Sequence, residues 1–413
     1  MTPQHEVRLA LAGCGVVGGG LVRLLHDARD EIASRFGVRF SVTRVLVRDA
    51  QRDRHVPVSG SLFTSDLNAF LDTEADVVVE AIGGDEPAHT IAARTLSRGR
   101  KFITANKELI AGAGDSLSRL ASESGTSIDF GAAVGASAPV ISTLRDLVGA
   151  SPPRAVRGIL NGTSNFVITE IERDTPLDLA LAVARHRGLA EADCSKDFDG
   201  RDAAAKLAIT AWVAFGIVPS SLPIRRISLL PQLTQLTHAA IALGGRLRLI
   251  AECVHLDGDR VVASVEPTIV SANSGFARTT GEENRIEIDE GWSAPLTVSG
   301  PGAGAAPTAT ALLSDLLRTS PPAAARGKHG KVFLPTPDSR EHRWLVLAPW
   351  GTGLAKVFDT HGIVVERNWE EGKANGVITT RIPWSRLQQT LEPYDADFAI
   401  ARVELSDAEV RLQ

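Results

Sequence analysis

The stretch that decides the fold is VRLALAGCGVVGGGLVRLL, residues 7–25. Residues 7–12 are predicted to form a first strand, and an apolar helix is predicted around the leucines that end the stretch. Between them stands the motif Gly13-Cys14-Gly15-Val16-Val17-Gly18. Only glycine lets the backbone turn this tightly and approach a pyrophosphate, whose charge is stabilised by the N–H groups that begin the next helix. The stretch therefore predicts dinucleotide binding; the alternative is a purely structural tight turn.

The following residues continue this pattern. It predicts three strands at 41–47, 76–81 and 101–104, and a helix at 86–97. Strands that alternate with helices form a parallel sheet, which binds its ligands at the carboxyl ends of the strands. Gly83, Asn106 and Lys107 directly follow such strand ends. They are therefore candidates for the cofactor edge, although Lys107 taken alone is typical of a protein surface.

The end of the second strand bears on the choice of cofactor. NAD-binding proteins often place an acid there for the ribose hydroxyls, whereas an arginine suits the 2′-phosphate of NADP. This chain has Arg48 followed by Asp49. The pair favours NADP(H) and leaves NAD(H) as the alternative.

A second group of chemically active residues lies in GLAEADCSKDFDGRDAAAKLAIT, residues 188–210. Asp202 and Lys206 stand four residues apart on a predicted helix, so both side chains project from one face. Apolar neighbours predict that this helix is buried, and burial makes the proton of a lysine easier to give up. An acidic loop crowds the start of the helix with Glu191, Asp197 and Asp199. The group predicts an acid catalyst; the alternative is a solvated ion pair.

Length and composition limit the classes of function. The chain has 413 residues, 44% of them hydrophobic, and a net charge of −5, which fits two to three globular domains. Neither a long basic run nor an apolar stretch of about 18 residues is present, so nucleic-acid binding and membrane spanning are not expected. The amino-terminal residues do not resemble a secretion signal. Three scattered cysteines suit a reducing compartment, and we expect a cytoplasmic protein without a structural metal site.

Together with further motifs, these residues resemble the homoserine dehydrogenase family, which interconverts aspartate 4-semialdehyde and homoserine with NAD(P)H. The resemblance runs from about Arg8 to Leu317. Its five ordered motifs are GCGVVG at 13–18, TANKELIA at 104–111, GILNGTSNFV at 158–167, the GLAEAD and KDFDGRDAAAKL blocks within 188–207, and GPGAGAAPTATALLSDL at 300–316. Membership would place the chain in the biosynthesis of amino acids such as threonine and methionine.

The resemblance implies a role for each matching residue. Lys206 would donate a proton to the carbonyl oxygen, and Asp202 would orient it. Glu191 would bind the substrate amine, and Asp197 would also belong to the substrate site. Lys107 would lie between nicotinamide and substrate. The remaining matches would line the substrate pocket or close over the cofactor, namely Gly162 and Thr163 for the pocket and Gly302 for the cofactor.

The resemblance and the pattern of elements predict an α/β protein in three parts. Residues 1–135, completed by a returning helix at 303–317, would form a Rossmann-type parallel-sheet domain. Residues 136–302 would form an α+β catalytic and dimerisation domain with a mixed sheet. A linker at 318–340 would precede a small ACT-like domain at 341–413, because the pattern there is βαββαβ. Its predicted strands are 343–348, 363–367, 377–381 and 398–405, and its predicted helices are 354–359 and 384–391.

Four features depart from the family pattern. Leu189 stands where a tyrosine is usual, which removes a hydroxyl from the pocket, and Cys194 replaces a proline. In the sodium-binding loop of the family, Gly131 replaces the usual glutamate, so the carboxylate ligand is missing and no metal site is predicted; the alternative is a monovalent cation bound by the carbonyl groups of Val134, Ala136 and Ala138. The C-terminal part has PWGTG at 349–353 instead of the usual Asp-x-Pro-Gly turn, which favours packing and oligomerisation over effector binding.

These departures leave two alternatives to a working homoserine dehydrogenase. One is a relative that acts on another amino-acid aldehyde or alcohol. The other is a non-catalytic nucleotide sensor, against which the retained Lys107, Glu191, Asp202 and Lys206 argue. The resemblance also implies a homodimer with a small amino-acid substrate.

Overall fold

The structure is a computed structural model that describes residues 5–147, 153–191, 193–230, 232–318, 333–349, 352–371, 374–394, 396–406 and 409. Most of the predicted linker (319–332) and Trp350 and Gly351 of the predicted turn lie outside the described residues. The chain divides into two compact units. The first comprises Met1–Pro152, Ala208–Ser221 and Gly300–Val332, and the second comprises Pro153–Leu207, Leu222–Ser299 and Phe333–Gln413.

Strands and helices alternate through much of the described chain. In order, the strands are β1 (His5–Ala12), β2 (Val38–Leu46), β3 (Phe63–Thr64), β4 (Val77–Glu80), β5 (Lys101–Thr104), β6 (Ile128–Asp129), β7 (Ala155–Ile159), β8 (Arg225–Arg226), β9 (Gly245–His255), β10 (Arg260–Ser271), β11 (Glu283–Asp289), β12 (Leu296–Pro301), β13 (Leu334–Pro335), β14 (Glu341–Pro349), β15 (Val365–Glu371), β16 (Ala374–Thr379), β17 (Ile382–Pro383) and β18 (Ala399–Glu404). The helices are α1 (Val16–Asp27), α2 (Arg29–Phe36), α3 (Leu67–Leu71), α4 (Ala88–Ser97), α5 (Lys107–Glu123), α6 (Val140–Leu147), α7 (Gly162–Ile171), α8 (Leu177–His186), α9 (Ser195–Phe198), α10 (Arg201–Phe215), α11 (Leu233–Ala242), α12 (Gly275–Arg278), α13 (Ala305–Leu317), α14 (Leu354–Thr360) and α15 (Trp384–Leu391).

The first unit is built on a six-stranded parallel sheet in the order β3-β2-β1-β4-β5-β6. Strand β1 pairs in parallel with β2 on one side and with β4 on the other. The strand order reverses between β1 and β4, so the crevice at their carboxyl ends is where such a sheet binds its ligand. The predicted Rossmann-type parallel sheet is confirmed.

Apolar side chains on one face of this sheet pack against helices of the same unit. Leu9 and Leu11 of β1 are fully buried, and so are Leu21 of α1 and Leu312 of α13, which belong to the same apolar cluster. Burying a side chain of this size contributes about 1.5–3 kcal/mol, so these contacts fix α1 and the glycine loop before it. The returning helix lies close to its predicted position.

The second unit is built on a long mixed sheet in the order β12-β11-β7-β9-β10-β18-β14-β16-β15. Strands β9 and β10 form its antiparallel centre, with Gly245 opposite Ser271 and His255 opposite Val261. Strand β7 lies antiparallel to β9 and to β11, so its carboxyl end is held from both sides. The predicted mixed sheet is confirmed, and the end of β7 provides a rigid support for the residues that follow it.

The C-terminal elements have the predicted βαββαβ order, given by β14, α14, β15, β16, α15 and β18. Their strands do not form a sheet of their own. Strand β18 pairs in parallel with β10, and β13, inside the predicted linker, also pairs with β10. The C-terminal part therefore extends the sheet of the second unit, where the sequence pattern predicts a separate small unit. Pairing between residues so distant in the chain leaves no trace in local periodicity.

A buried network of charges lies at this junction. Glu252 of β9 pairs with Arg157 of β7, Arg340 and Arg402 of β18 at 2.8, 2.7 and 2.9 Å. Burial alone would raise the pKa of Glu252, but Arg402, Arg157 and Arg340 hold it well below its usual range. Breaking a buried pair by removing one partner costs about 3–5 kcal/mol, so Arg402 makes the C-terminal part integral to the sheet.

Candidate active site

The glycine loop joins β1 to α1. Gly13 has a φ of +94°, and a Cβ there would lie 2.6 Å from the carbonyl oxygen of Ala81. A Cβ at Gly18 would lie 1.9 Å from the carbonyl oxygen of Gly13, so both positions require glycine. Among the described residues, no atom lies within 4 Å of a Cβ built at Gly15. The loop is thus closed against the protein and open at the start of α1, where a pyrophosphate fits.

The residues between these glycines differ in their surroundings. Val16 and Val17 begin α1, and Val16 is 70% exposed, so it borders the open side of the loop. Cys14 is buried, and burial raises the pKa of its thiol. Because the thiolate is the reactive form, Cys14 is a packing residue.

The end of β2 leads into a basic segment. Arg48 and Asp49 follow the strand, and both are exposed. The next residues line a cavity of about 310 Å³ that includes Arg52, Arg54 and His55. Arg54 donates a hydrogen bond to the carbonyl oxygen of Asp49 at 2.7 Å, which fixes its guanidinium group in this lining. Guanidinium groups match the geometry of a phosphate, so the segment suits a phosphorylated ribose.

The loops after β4 and β5 are joined by hydrogen bonds. Gly83 and Gly84 have φ values of +81° and +74°, a backbone conformation that residues other than glycine rarely adopt. The side-chain amide of Asn106 donates to the carbonyl oxygen of Gly84 at 2.6 Å. The Oδ1 atom of Asn106 accepts the N–H of Leu109 at 3.1 Å and so caps α5. The predicted residues Gly83 and Asn106 therefore lie at one edge of the sheet.

Two further residues predicted to bind the cofactor, Lys107 and Gly302, lie at or near the N-termini of helices in the first unit. Lys107 is the first residue of α5, and its ammonium group lies 3.2 Å from a carboxylate oxygen of Glu108. Gly302 lies in the segment before α13, whose N-cap residue, Gly304, has a φ of +114°. Helix N-termini favour anionic ligands, so both positions suit a phosphorylated cofactor.

In the second unit, Asn161 links the predicted acidic residues. It follows β7, is 4% exposed and caps α7 by accepting the N–H of Ser164 at 2.7 Å. Its side-chain amide donates to Asp197 Oδ1 at 2.7 Å and to Asp202 Oδ2 at 2.8 Å. One buried amide thus holds two carboxylates that would otherwise repel each other.

Lys206 completes this group. Its Nζ atom lies 2.8 Å from the carbonyl oxygen of Leu160 and 2.8 Å from Asp202 Oδ2. The side chains of Lys206 and Asp202 are 13% and 11% exposed, so the pair is not the solvated one that a surface helix would carry. Because an ammonium group has three N–H bonds at fixed angles, two fixed acceptors also fix the direction of the third.

The start of α7 also holds the loop that departs from the family pattern. The hydroxyl of Thr163 donates to the carbonyl oxygen of Leu189 at 2.6 Å. A Cβ at Gly162 would lie 2.7 Å from the carbonyl oxygen of Glu282, so the backbone approaches closely there. Gly162 and Thr163 directly follow Asn161, and the hydrogen bond of Thr163 brings the backbone of Leu189 to the same region.

The structure does not gather all the predicted acids around one amine. Asp197 joins Asp202 through Asn161, but Asp199 pairs with Arg201 at 2.6 Å. Glu191 lies exposed in the segment between α8 and α9. The prediction of one compact cluster is therefore wrong for Asp199, because a neighbouring guanidinium offers that carboxylate a nearer partner. Cys194 is the residue before α9 and is partly exposed.

A different carboxylate occupies the space beside Gly131. A Cβ at Gly131 would lie 2.7 Å from Oδ1 of Asp315 in α13. Asp315 is 3% exposed, and burial, together with nearby Asp129, raises its pKa to about 6. Lys101 and Arg145 both pair with Asp129, at 3.1 and 2.9 Å. The cations of this cluster therefore neutralise Asp129, and Asp315 is a buried acid that is hard to ionise.

Three polar residues that organise these sites were not predicted from the sequence. Asn161 bridges the acids, and Glu80 and Thr104 hold the loops after β4 and β5. Each stands at or just after the end of a strand and before a helix. Only that position in the sequence could have indicated that these residues belong to a site. Their partners are backbone groups and residues distant in the chain, which the sequence does not identify.

The described arrangement suits carbonyl reduction and its reverse. A buried ammonium group of fixed direction can stabilise and protonate an alkoxide, and a glycine loop before a helix N-terminus suits the pyrophosphate of a dinucleotide. Within the described ranges, no group of three or more His, Cys, Asp or Glu residues is placed to hold a metal ion. No helix of the described chain is both long and apolar enough to cross a membrane.

Two family models match the chain. One, described as "Homoserine dehydrogenase, NAD binding domain", matches residues 13–130, and the other, described as "Homoserine dehydrogenase", matches residues 139–317. The homoserine dehydrogenase of Bacillus subtilis (strain 168) is 31% identical over 319 residues, or 76% of this chain and 73% of that protein. That of Corynebacterium glutamicum is 34% identical over 338 residues, or 79% of this chain and 74% of that protein.

Solved structures agree with these matches over nearly the whole chain. The crystal structure of a homoserine dehydrogenase from Thiobacillus denitrificans is similar with a TM-score of 0.85 at 27% identity, covering 98% of this chain and 99% of that chain. The structure of S. aureus homoserine dehydrogenase at pH 7.0 is similar with a TM-score of 0.75 at 26% identity, covering 97% and 100% of the two chains.

Proposed function

Because the chain belongs to the homoserine dehydrogenase family and is thus an NAD(P)-dependent oxidoreductase that interconverts L-homoserine and L-aspartate 4-semialdehyde, we propose that Lys206 is its proton donor. The observation that carries this proposal is the buried ammonium group, held at 2.8 Å by both Leu160 and Asp202. The family matches favour this reaction over another amino-acid aldehyde and over a non-catalytic sensor.

When bound, the nicotinamide cofactor supplies the hydride for reduction and accepts it in the reverse direction. Lys206 donates a proton from Nζ to the carbonyl oxygen of the aldehyde as negative charge develops there. In the oxidation of homoserine the same nitrogen receives the proton of the hydroxyl group. Asp202 and the carbonyl of Leu160 keep Nζ in one orientation throughout, and Asn161 keeps Asp202 in place.

We propose that the amino-acid end of the substrate binds to Glu191 and Asp197. An exposed carboxylate such as that of Glu191 is available to a substrate ammonium group, and a charge-assisted hydrogen bond between them is stronger than a neutral one. Asp197 is oriented by Asn161. Gly162 and Thr163 line the pocket, where the close backbone at Gly162 leaves no space for a side chain.

We propose that the cofactor lies along the carboxyl edge of the parallel sheet. Its pyrophosphate contacts the glycine loop of Gly13, Gly15, Val16, Val17 and Gly18. Its nicotinamide lies beside the loops that carry Gly83 and Asn106, with Lys107 between ring and substrate, and Gly302 closes over it. The open space at Gly15 and the exposed Val16 support this placement.

NADP(H) is the proposed preferred cofactor. Arg48 is exposed at the end of β2, and Arg52 and Arg54 line the neighbouring cavity. A 2′-phosphate there would meet positive charge. The test compares NADPH with NADH at saturating aspartate 4-semialdehyde. Arg48→Ala should raise the KM for NADPH roughly 10- to 100-fold and leave that for NADH within about twofold. An equal change for both cofactors would refute a contact between Arg48 and the 2′-phosphate.

The role of Lys206 is tested by Lys206→Ala, with Lys196→Ala as the control because Lys196 is an exposed lysine of α9. Loss of general acid catalysis should lower kcat by about 100- to 10,000-fold while NADPH still binds as tightly as to the wild type. The control should retain full turnover. A parallel loss of cofactor affinity in Lys206→Ala would contradict a role confined to the carbonyl group.

We also propose the predicted division into residues 1–135 with 303–317 and residues 136–302, with residues 341–413 as an extension of the second part. We further propose a homodimer and a cytoplasmic location. Exposed Trp292 and Leu296, near the outer strand β12, supply an apolar surface suited to self-association. Light scattering that gives a monomer mass at working concentration would refute the dimer. Free Cys14, Cys194 and Cys253 suit a reducing compartment, and cell fractionation tests the location.

A further inference from the structure

Glu80, the last residue of β4, is a fully buried carboxylate that the proposed mechanism does not use. Its Oε1 atom accepts the backbone N–H groups of Ile82 at 2.6 Å and Gly83 at 3.0 Å. Its Oε2 atom accepts the hydroxyl of Thr104. These partners are neutral donors, so the carboxylate organises backbone amides and a hydroxyl rather than neutralising a cation. A buried carboxylate is tolerated only when its oxygens are hydrogen-bonded in this way.

The bonds of Glu80 belong to a closed ring. The hydroxyl oxygen of Thr104 also accepts the backbone N–H of Asn106 at 2.9 Å. The side chain of Asn106 donates to the carbonyl oxygen of Gly84 at 2.6 Å, and Gly84 directly follows the amide of Gly83 that Glu80 binds. Glu80 and Thr104 are themselves register partners in β4 and β5. The ring therefore fixes the loop after β4 and the loop after β5 against each other.

The loop after β4 depends on this ring for its conformation. Gly83 and Gly84 both have positive φ, and no atom of the described residues lies within 4 Å of a Cβ built at either position. Packing therefore does not restrain them, and glycine loses more conformational freedom on ordering than any other residue. The hydrogen bonds to Glu80 and Asn106 supply the restraint. Ile82, in the same loop, has an apolar side chain that remains 39% exposed.

We propose that Glu80 is a positioning residue for the nicotinamide half of the cofactor. It holds the peptide of Ile82 and Gly83 on one side and, through Thr104 and Asn106, the start of α5 with Lys107 on the other. The adenine half is placed at the glycine loop and the end of β2, whereas the hydrogen bonds of the ring run between the loops after β4 and β5. The inference rests on the proposed placement of nicotinamide beside Gly83, Asn106 and Lys107.

The experiment uses the full chain with Glu80→Ala, Glu80→Gln and Thr104→Val. The control is Glu86→Gln, which makes the same chemical change at an exposed residue whose carboxylate binds the hydroxyl of Thr90. Fluorescence titration measures the Kd of NADPH and of adenosine 2′,5′-bisphosphate, which has the adenine half and no nicotinamide. Turnover with aspartate 4-semialdehyde gives kcat and KM.

Glu80→Ala should weaken NADPH binding by about tenfold or more and lower kcat, while the Kd of adenosine 2′,5′-bisphosphate stays within about twofold of wild type. Thr104→Val should change the same quantities in the same direction. Glu80→Gln should recover part of the loss, because its carbonyl oxygen still accepts the two amides but its NH₂ group replaces the acceptor for Thr104. Glu86→Gln should match wild type.

A merely structural role gives a different result. Equal weakening of both ligands in the Glu80 variants, or unchanged NADPH binding and kcat, would overturn the proposal. If Glu80→Ala does not fold, the proposal is tested with Glu80→Gln and Thr104→Val, again by comparing the change in the Kd of NADPH with the change in the Kd of adenosine 2′,5′-bisphosphate. Lys107→Met is measured alongside: unchanged NADPH binding and turnover there would refute the proposed nicotinamide edge itself. Weaker NADPH binding or lower turnover in Lys107→Met, without a selective loss of NADPH affinity in the Glu80 variants, would refute only the role of Glu80.

Discussion

Replacing Asp315 by asparagine should stabilise the protein at neutral pH. Asp315 is almost fully buried beside Gly131, and its Oδ2 atom has no hydrogen-bond partner among the described residues. Lys101 donates to the backbone carbonyl of Asp315 at 2.7 Å, while its ammonium group and the guanidinium of Arg145 pair with Asp129. Ionising Asp315 therefore places a second negative charge beside Asp129 without adding a cation.

The magnitude follows from the pKa of Asp315. Burial, followed by the charge of Asp129, raises this pKa from 3.8 to about 6. Between these values the unfolded chain has released a proton that the folded chain retains, so the free energy of unfolding falls as pH rises from about 4 to 6. A difference of about two pKa units corresponds to roughly 3 kcal/mol. Below about pH 4 the free energy of unfolding of the wild-type protein is not reduced by Asp315, and above about pH 6 it is reduced by the full amount.

Asparagine has nearly the same shape and no charge to lose. Asp315→Asn should therefore equal wild type near pH 4 and exceed it by about 2–3 kcal/mol at pH 7 to 8, measured by urea unfolding at several pH values. Asp129→Asn is the matched control in the same cluster. It should destabilise the protein by about 3–5 kcal/mol, because it leaves Lys101 and Arg145 without their carboxylate. A stability difference between Asp315→Asn and wild type that does not change from pH 4 to pH 8, or a less stable variant at pH 8, would refute this reasoning.

Three further changes test the second unit. Glu191→Ala should raise the KM for homoserine by the equivalent of about 1–3 kcal/mol with little change in kcat, because a paired ammonium group is lost; an unchanged KM would remove Glu191 from the substrate site. Asn161→Ala should lower kcat and destabilise the protein by about 1–3 kcal/mol, since both the cap of α7 and the bridge between two carboxylates disappear. Asn161→Ser keeps a capping oxygen and should restore the part of the stability that the cap contributes but not kcat, and full recovery of both would show that the bridge is unimportant. Burial, with Arg402 and Arg340, lowers the pKa of His342 from 6.5 to about 4, so wild type should lose roughly 3 kcal/mol of stability as pH falls through that window. His342→Phe keeps the aromatic contact with Trp344 and should be free of that loss, and a stability difference from wild type that is the same at pH 7 and pH 4.5 would contradict this account.

Local sequence determined the elements that are proposed to bind the cofactor. The glycine loop between β1 and α1 was predicted because its turn needs glycine at Gly13 and Gly18, a requirement set by the backbone of a few adjacent residues. Periodicity predicted β1, α1, β2, β4, α4 and β5, and β5 has its predicted bounds, but α2, β3 and α3 were not predicted. The pair Asp202 and Lys206 was also predictable, because spacing along one helix fixes which side chains share a face.

Other features depend on contacts between residues far apart in the chain. The pattern suggested that the C-terminal part stands alone, yet β18 pairs with β10, and Arg402 pairs with Glu252. Strand pairing satisfies backbone groups that are identical in every residue, so the sequence does not name the partner strand.

The sequence by itself determined that the chain has a Rossmann-type sheet, a glycine loop between its first strand and helix, and an acid–lysine pair on one helix, because each depends on neighbouring residues. Only the tertiary structure decided what each charged group faces. It joined Asp197 to Asp202 through Asn161, turned Asp199 towards Arg201, and buried Asp315 beside Gly131. Burial and partners set the energy of a charge, and both are properties of the folded chain.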